Sequence, residues 1–155
     1  MITRLVSGGQ TGVDRAALDA ALDLGLPCGG WCPRGRLAED GPIDPRYPLQ
    51  ETPTAEYPQR TAWNVRDSDG TLVLTRGRPR GGTALTVALA REQGRPVLVL
   101  DLSRRPDPDR VVEWARAEAV SVLNVAGPRE SQQPGIQEEA RRLLVVALES
   151  AASGP

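Results

Sequence analysis

Three stretches of the chain combine glycine with small polar side chains at spacings suited to an anion. The first is Ser7-Gly8-Gly9-Gln10-Thr11-Gly12, followed directly by Val13-Asp14-Arg15. The second is Arg80-Gly81-Gly82-Thr83, and the third runs Asn124-Val125-Ala126-Gly127-Pro128-Arg129-Glu130-Ser131. Glycine lets the main chain approach a ligand with no Cβ in the way, and the unsatisfied N–H groups at a helix start carry partial positive charge. A loop of this kind that leads into a helix suits a phosphate. One Gly-Gly pair alone reads equally as a tight strand-to-helix turn; three such loops together favour a phosphate site. The Gly-Gly-Gln-Thr-Gly run lacks the G-x-G-x-x-G spacing of a dinucleotide fingerprint, so NAD is not expected.

Around these loops stand residues that could complete a site. In Trp31-Cys32-Pro33-Arg34-Gly35-Arg36 an indole could stack on a flat heterocycle while the Arg34 and Arg36 forks hold phosphate, although Trp31 reads equally as a core residue. Asp14 sits in the first turn of a helix, where an acid is also a plain dipole partner. Arg129 follows Gly127-Pro128 at a strand end and is placed to reach a ligand; Ser131 is a candidate helix cap. Asp67-Ser68-Asp69 favours a turn over a magnesium site. Cys28 and Cys32 read as buried thiols, with soft-metal ligation the alternative, and no metal site is expected.

The chain contains no histidine, and every basic side chain is arginine. That excludes a Ser-His dyad, an imidazole base, His-ligated zinc, a lysine Schiff base and a Walker lysine. Any acid or base must come from Asp, Glu, Tyr or Cys, with Glu39, Asp40 and Glu130 the candidates if the protein is an enzyme.

Helices and strands must position these loops. Ile2 to Val6 reads as a short strand, and Val13, Ala17, Ala20, Ala21 and Leu24 recur at helical spacing until Gly25 and Pro27 stop them. Gly70 to Thr75 reads as a buried strand before a helix that opens at Arg80 to Thr83 and closes at Gly94. Pro96 to Leu100 is a strand, Asp109 to Ala119 a helix, Val120 to Ala126 a strand, and a last helix begins near Gly135. Apolar strands alternating with amphipathic helices indicate a parallel sheet covered on both faces. The expected fold is α/β and Rossmann-like: a doubly wound, mainly parallel sheet of about five to seven strands. Pro27 to Gln59 is the exception, rich in Gly and Pro and too long for a plain connector. A helix over Glu56 to Arg66 follows it.

At 155 residues the chain has room for one domain, read as residues 1–150 with a frayed end at 151–155. A formal charge of −1 with no basic run gives no footprint for nucleic acid. Nothing approaches the roughly 20 apolar residues of a membrane span, and no signal peptide precedes Met1, so the expectation is a cytoplasmic protein.

Six motifs in order resemble one family: Ser7 to Arg15, Gly29 to Arg36, Ala38-Glu39-Asp40-Gly41, Asn64 to Thr71, Gly81-Gly82-Thr83 and Asn124 to Ser131. Together they span nearly the whole chain and resemble the molybdenum cofactor carrier family, a circularly permuted branch of the SLOG superfamily related to the lonely-guy phosphoribohydrolases. The resemblance implies a Rossmann-like carrier for molybdenum cofactor (molybdopterin), with its phosphate against the glycine loops, or for a nucleotide-like ligand. It also implies a homo-oligomer, dimer or tetramer. The hydrolase relatives carry a glutamate three residues after the threonine of their glycine-rich helix start, and Thr86 stands there in this chain. Binding is therefore ranked above N-glycosidic hydrolysis.

Overall fold

The structure is a computed structural model and describes residues 1–153. Its central sheet has five parallel strands in the order β2-β1-β9-β7-β8, as expected from the apolar strands. They are β1 (Arg4–Val6), β2 (Cys28–Gly29), β7 (Gly70–Thr75), β8 (Val97–Asp101) and β9 (Val122–Ala126). All six residues of β7 are buried, because β7 is paired on both edges and covered on both faces. The helices are α1 (Val13–Leu24), α2 (Tyr57–Arg66), α3 (Gly81–Glu92), α4 (Asp109–Ala117) and α5 (Ile136–Ser153). α1 and α4 pack against α5 in one layer, while α2 packs against α3 in another. Leu5, Leu72, Leu74, Leu100 and Leu123 bring the sheet into the core, where they meet Ala17, Leu18, Ile136 and Leu144 from the helices.

The chain leaves β1 through α1 toward β2, but leaves β7 through α3 toward β8 on the far side, and only then returns to place β9 between β1 and β7. Loops after β1 and β7 thus diverge on either side of β9. Such a reversal opens a crevice beyond the carboxyl ends of the strands.

The long irregular stretch is tightly built. It contributes β2 to the central sheet, a strand that its Gly-Pro composition conceals, and two small ribbons. One ribbon pairs β3 (Trp31–Cys32) with β6 (Gln50–Glu51), the other β4 (Leu37–Ala38) with β5 (Gly41–Pro42). The Arg36 guanidinium donates to the carbonyls of Ile43, Asp44, Tyr47 and Leu49 and so gathers the segment. Tyr47, 2% exposed, donates its hydroxyl to Asp19 of α1 at 2.6 Å and anchors it. At the other end, α5 runs three residues past the expected domain limit at 150, and the last two residues of the expected frayed end, Gly154 and Pro155, lie outside the described residues.

Candidate functional site

A cleft of about 350 Å³ lies at the crevice beyond the strand ends. The β1 loop supplies Gly8, Gln10 and Asp14; the start of α3 supplies Gly81, Gly82, Thr83 and Thr86; the end of β9 and its loop supply Asn124, Gly127, Arg129 and Gln132. The fourth wall is α2, with Tyr57, Arg60, Thr61 and Asn64.

The floor is polar and mostly satisfied. Arg60 is 9% exposed and donates from Nη1 to the Gly8 carbonyl at 2.8 Å, with the Asp14 carboxylate 3.4 Å away. Burial pushes the Asp14 carboxyl above its usual range, against the opposing charges of Arg60, Arg15 and Arg129. Asn64 accepts from the Trp31 amide and donates to the Trp31 carbonyl, fixing β3 to α2. Asn124 donates to Thr71 at 3.2 Å. Gln10, 5% exposed, accepts at Oε1 from the amides of Thr11 and Glu39, while its Nε2 is buried without a partner. That amide lacks an acceptor in a cleft wall, and a buried donor left unmade is costly. Above the floor the Tyr57 ring lies near two guanidinium groups, Arg60 at 5.2 Å and Arg129 at 5.5 Å. Arg129 makes no salt bridge among the described residues.

The two glycine loops before helices behave differently. In the first, the amide of Gly9 donates to Ser7 Oγ, that of Thr11 to Gln10, that of Gly12 to Gln137 at 2.9 Å and that of Val13 to the Pro128 carbonyl. These four groups are occupied within the fold, whereas in this loop the amide of Gly8, which lines the cleft, has no acceptor among the described residues. Its glycines answer to packing: a Cβ at Gly8 would overlap the Arg60 guanidinium, and one at Gly12, where φ is +83°, would overlap the Pro128 carbonyl. At α3 the amides of Thr83 and Ala84 donate to the Arg80 carbonyl, and those of Gly81 and Gly82 are without an acceptor among the described residues. A Cβ at Gly81 or Gly82 would meet nothing within 4 Å, and the preceding Arg80 makes no side-chain cap. The first turn of α3 faces open space at the cleft.

Several expected site residues lie elsewhere. Trp31 is half-buried outside the cleft, its indole donating to Asp67 at 2.8 Å and its ring edge-on to Trp63. Arg36 is occupied by the four carbonyls named above, Gly35 donates to Glu51, and Arg34 is exposed; none of the three lines the cleft. Gly9, Thr11 and Gly12 do not line it. The three acids proposed for hydrolysis are also occupied. Desolvation pushes Glu39 upward, but hydrogen bonds from Ser131 and Thr11 and the Arg129 charge hold its carboxyl below the usual range. A hydrogen bond and the charge of Arg15, 2.6 Å away, hold the Asp40 carboxyl low. Glu130 accepts from the amides of Gly135 and Gln137 and caps α5, the role expected of Ser131. None of Glu39, Asp40, Glu130 or Ser131 lines the cleft. The acid that does is Asp14.

Conversely, the α2 wall is absent from the residues that the sequence singles out. Tyr57, Arg60, Thr61 and Asn64 recur at i, i+3, i+4 and i+7, the period of one helical face, so the pattern is present in the sequence. Polar side chains on such a face read as solvated, and only the fold turns them inward.

The model of the family described as circularly permutated YpsA SLOG matches residues 5–148. The chain belongs to this family. A crystal structure of a protein described as "Putative molybdenum carrier protein" from Syntrophus aciditrophicus SB, at 1.45 Å resolution, shares 47% sequence identity. It superposes with a TM-score of 0.91 over 95% of each chain. No curated protein matches. Family and structural neighbour agree with the Rossmann-like architecture, and the cleft sits where such a fold binds ligands. No helix among the described residues is long and apolar enough to cross a membrane.

Proposed function

We propose that the protein binds a small phosphorylated heterocycle in this cleft and acts as its carrier or sensor. The observation that carries the reading is the uncapped, unobstructed first turn of α3 facing the same cleft as Arg129, with the unpartnered Gln10 amide in its wall. The helix start and the guanidinium would receive the phosphate. Tyr57 would cover the ring, and Gln10 and Asn124 would meet its polar edge.

The neighbour is described as a molybdenum carrier, and molybdenum cofactor is the form of that cargo with a phosphorylated heterocycle; the donor set is compatible with it in one particular way. Neither Cys28 nor Cys32 lines the cleft, and no group of three metal-ligating side chains is present among the described residues. The protein would therefore hold the pterin and its phosphate, leaving the metal to the dithiolene sulfurs of the ligand itself. Calorimetry with molybdopterin and with a panel of nucleoside monophosphates tests the reading. A dissociation constant of tens of micromolar or tighter, weakened about tenfold by Arg129→Ala, is expected. Absence of binding across the whole panel overturns it.

A hydrolytic second reading is favoured by one observation, a carboxyl in the cleft, Asp14, whose burial raises its hold on a proton. As water attacks the anomeric carbon and the bond to the base breaks, the Asp14 carboxyl would pass its proton to the departing base and take back the proton that water loses. Release of free base from a nucleoside monophosphate, lost in Asp14→Asn, would establish it; no release leaves binding as the activity.

A further inference from the structure

A second cleft of about 400 Å³ adjoins the first on the other side of the α3 start. The two share Gly81 and Gln132, so one ligand can reach both. Arg76, Arg78 and Arg80 line the second cleft, together with Thr75 and Gln133. Of the three arginines only Arg76 is engaged among the described residues, with Glu139 at 3.5 Å and the Pro134 carbonyl at 2.9 Å. Arg78 and Arg80 are exposed and carry no carboxylate partner there. No acidic side chain lines this cleft. The two unpaired guanidinium groups, Arg78 and Arg80, stand on the same cleft as Arg76, and a multiply charged anion would meet them together.

We infer that the second cleft is a subsite for a further phosphoryl group, so that the preferred ligand carries two linked phosphates: one at Gly81, Gly82 and Arg129, the next on the Arg78 and Arg80 forks. The inference rests on the reading of the first cleft as a phosphate site and extends it from a monophosphate to a diphosphate ester. Geometry supports the order of the groups. The ring-covering Tyr57 lines only the first cleft, the arginine trio only the second, and the start of α3 lies between them. Two adjacent phosphates would thus lie on either side of Gly81. Arginine forks bind phosphate oxygens in pairs, which rewards the added group.

The test compares AMP with ADP, and GMP with GDP, by calorimetry on the intact protein and on the double variant Arg78→Ala/Arg80→Ala. Both side chains are exposed, so the variant keeps the fold. The diphosphate is expected to bind at least about tenfold more tightly than the monophosphate to the unaltered protein. That advantage should vanish in the double variant while monophosphate affinity stays the same. Equal affinity of mono- and diphosphate in the unaltered protein overturns the inference, as does an advantage that survives the double substitution. If no nucleotide binds, the reading of the first cleft for nucleotides fails, and inorganic pyrophosphate then decides the second. Pyrophosphate binding that is lost in the double variant upholds the subsite, and no pyrophosphate binding removes it.

Discussion

The β1–α1 loop and the β7–α3 loop both place a glycine pair between a parallel strand and a helix, yet they do opposite things. In the first, Ser7, Gln10, Gln137 and the Pro128 carbonyl take up the amides of Gly9, Thr11, Gly12 and Val13, and Arg60 lies across Gly8. In the second, Gly81 and Gly82 look into open space. A glycine is required where two parts of the protein crowd together and equally where a ligand must come close, and the residue type does not distinguish the two. What does is whether the neighbouring N–H groups already have acceptors. On the proposed reading the first loop is mainly a structural floor and the second the receiving edge.

Several substitutions would break or sharpen this contrast. The largest effect is expected from Arg60→Ala, which removes both the buried donor to the Gly8 carbonyl and the ion-pair partner of Asp14 and should cost about 3–5 kcal/mol in chemical denaturation. Gly12→Ala comes next: a side chain at φ +83° against the Pro128 carbonyl has nowhere to go, and a loss of roughly 2–4 kcal/mol is expected. Gly82→Ala is the control, with stability changed by no more than about 1 kcal/mol and nucleotide affinity reduced. Equal destabilisation by the two alanines would erase the distinction between the loops.

A smaller effect is read through pH. Asp14 has its folded value raised above 3.8 by burial, so the folded state holds the proton more tightly than the unfolded chain. Its contribution therefore lowers stability as pH rises from 3.8 through the folded value, and the loss is complete above it. Glu39, Asp40 and Asp67 are shifted downward and act in the other direction, lending stability above their unfolded values that is lost as pH falls. Unfolding profiles of the unaltered protein and of Asp14→Asn should consequently differ by a component that declines with pH; parallel profiles would refute the assignment. The smallest change is expected from Glu39→Gln. It weakens the exposed clamp to Ser131 and Thr11 and should cost at most about 1 kcal/mol.

Much of the fold is legible in the sequence because its strands are continuous apolar runs and its helices keep their period. Gly70 to Thr75 and Val13 to Leu24 lie within one residue of where the pattern puts them. β2 is not legible: two residues, Cys28 and Gly29, are too short to show periodicity, and pairing with β1 alone makes them a strand. The β7–α3 and β9 loops are legible as glycine-rich strand ends, whereas the roles of Arg36 and Glu130 are not. Both look like ligand-binding groups, yet their partners are main-chain atoms: carbonyls 7 to 13 residues away for Arg36, and the amides of Gly135 and Gln137 for Glu130. Which polar groups a fold occupies and which it leaves open is decided by tertiary contacts.

Amide chemical shifts test the contrast between the loops most directly. Titrating the ¹⁵N-labelled protein with GMP should move the Gly81 and Gly82 resonances and leave those of Thr11 and Gly12 in place. Shifts centred on Thr11 and Gly12, with Gly81 and Gly82 unmoved, would contradict the account.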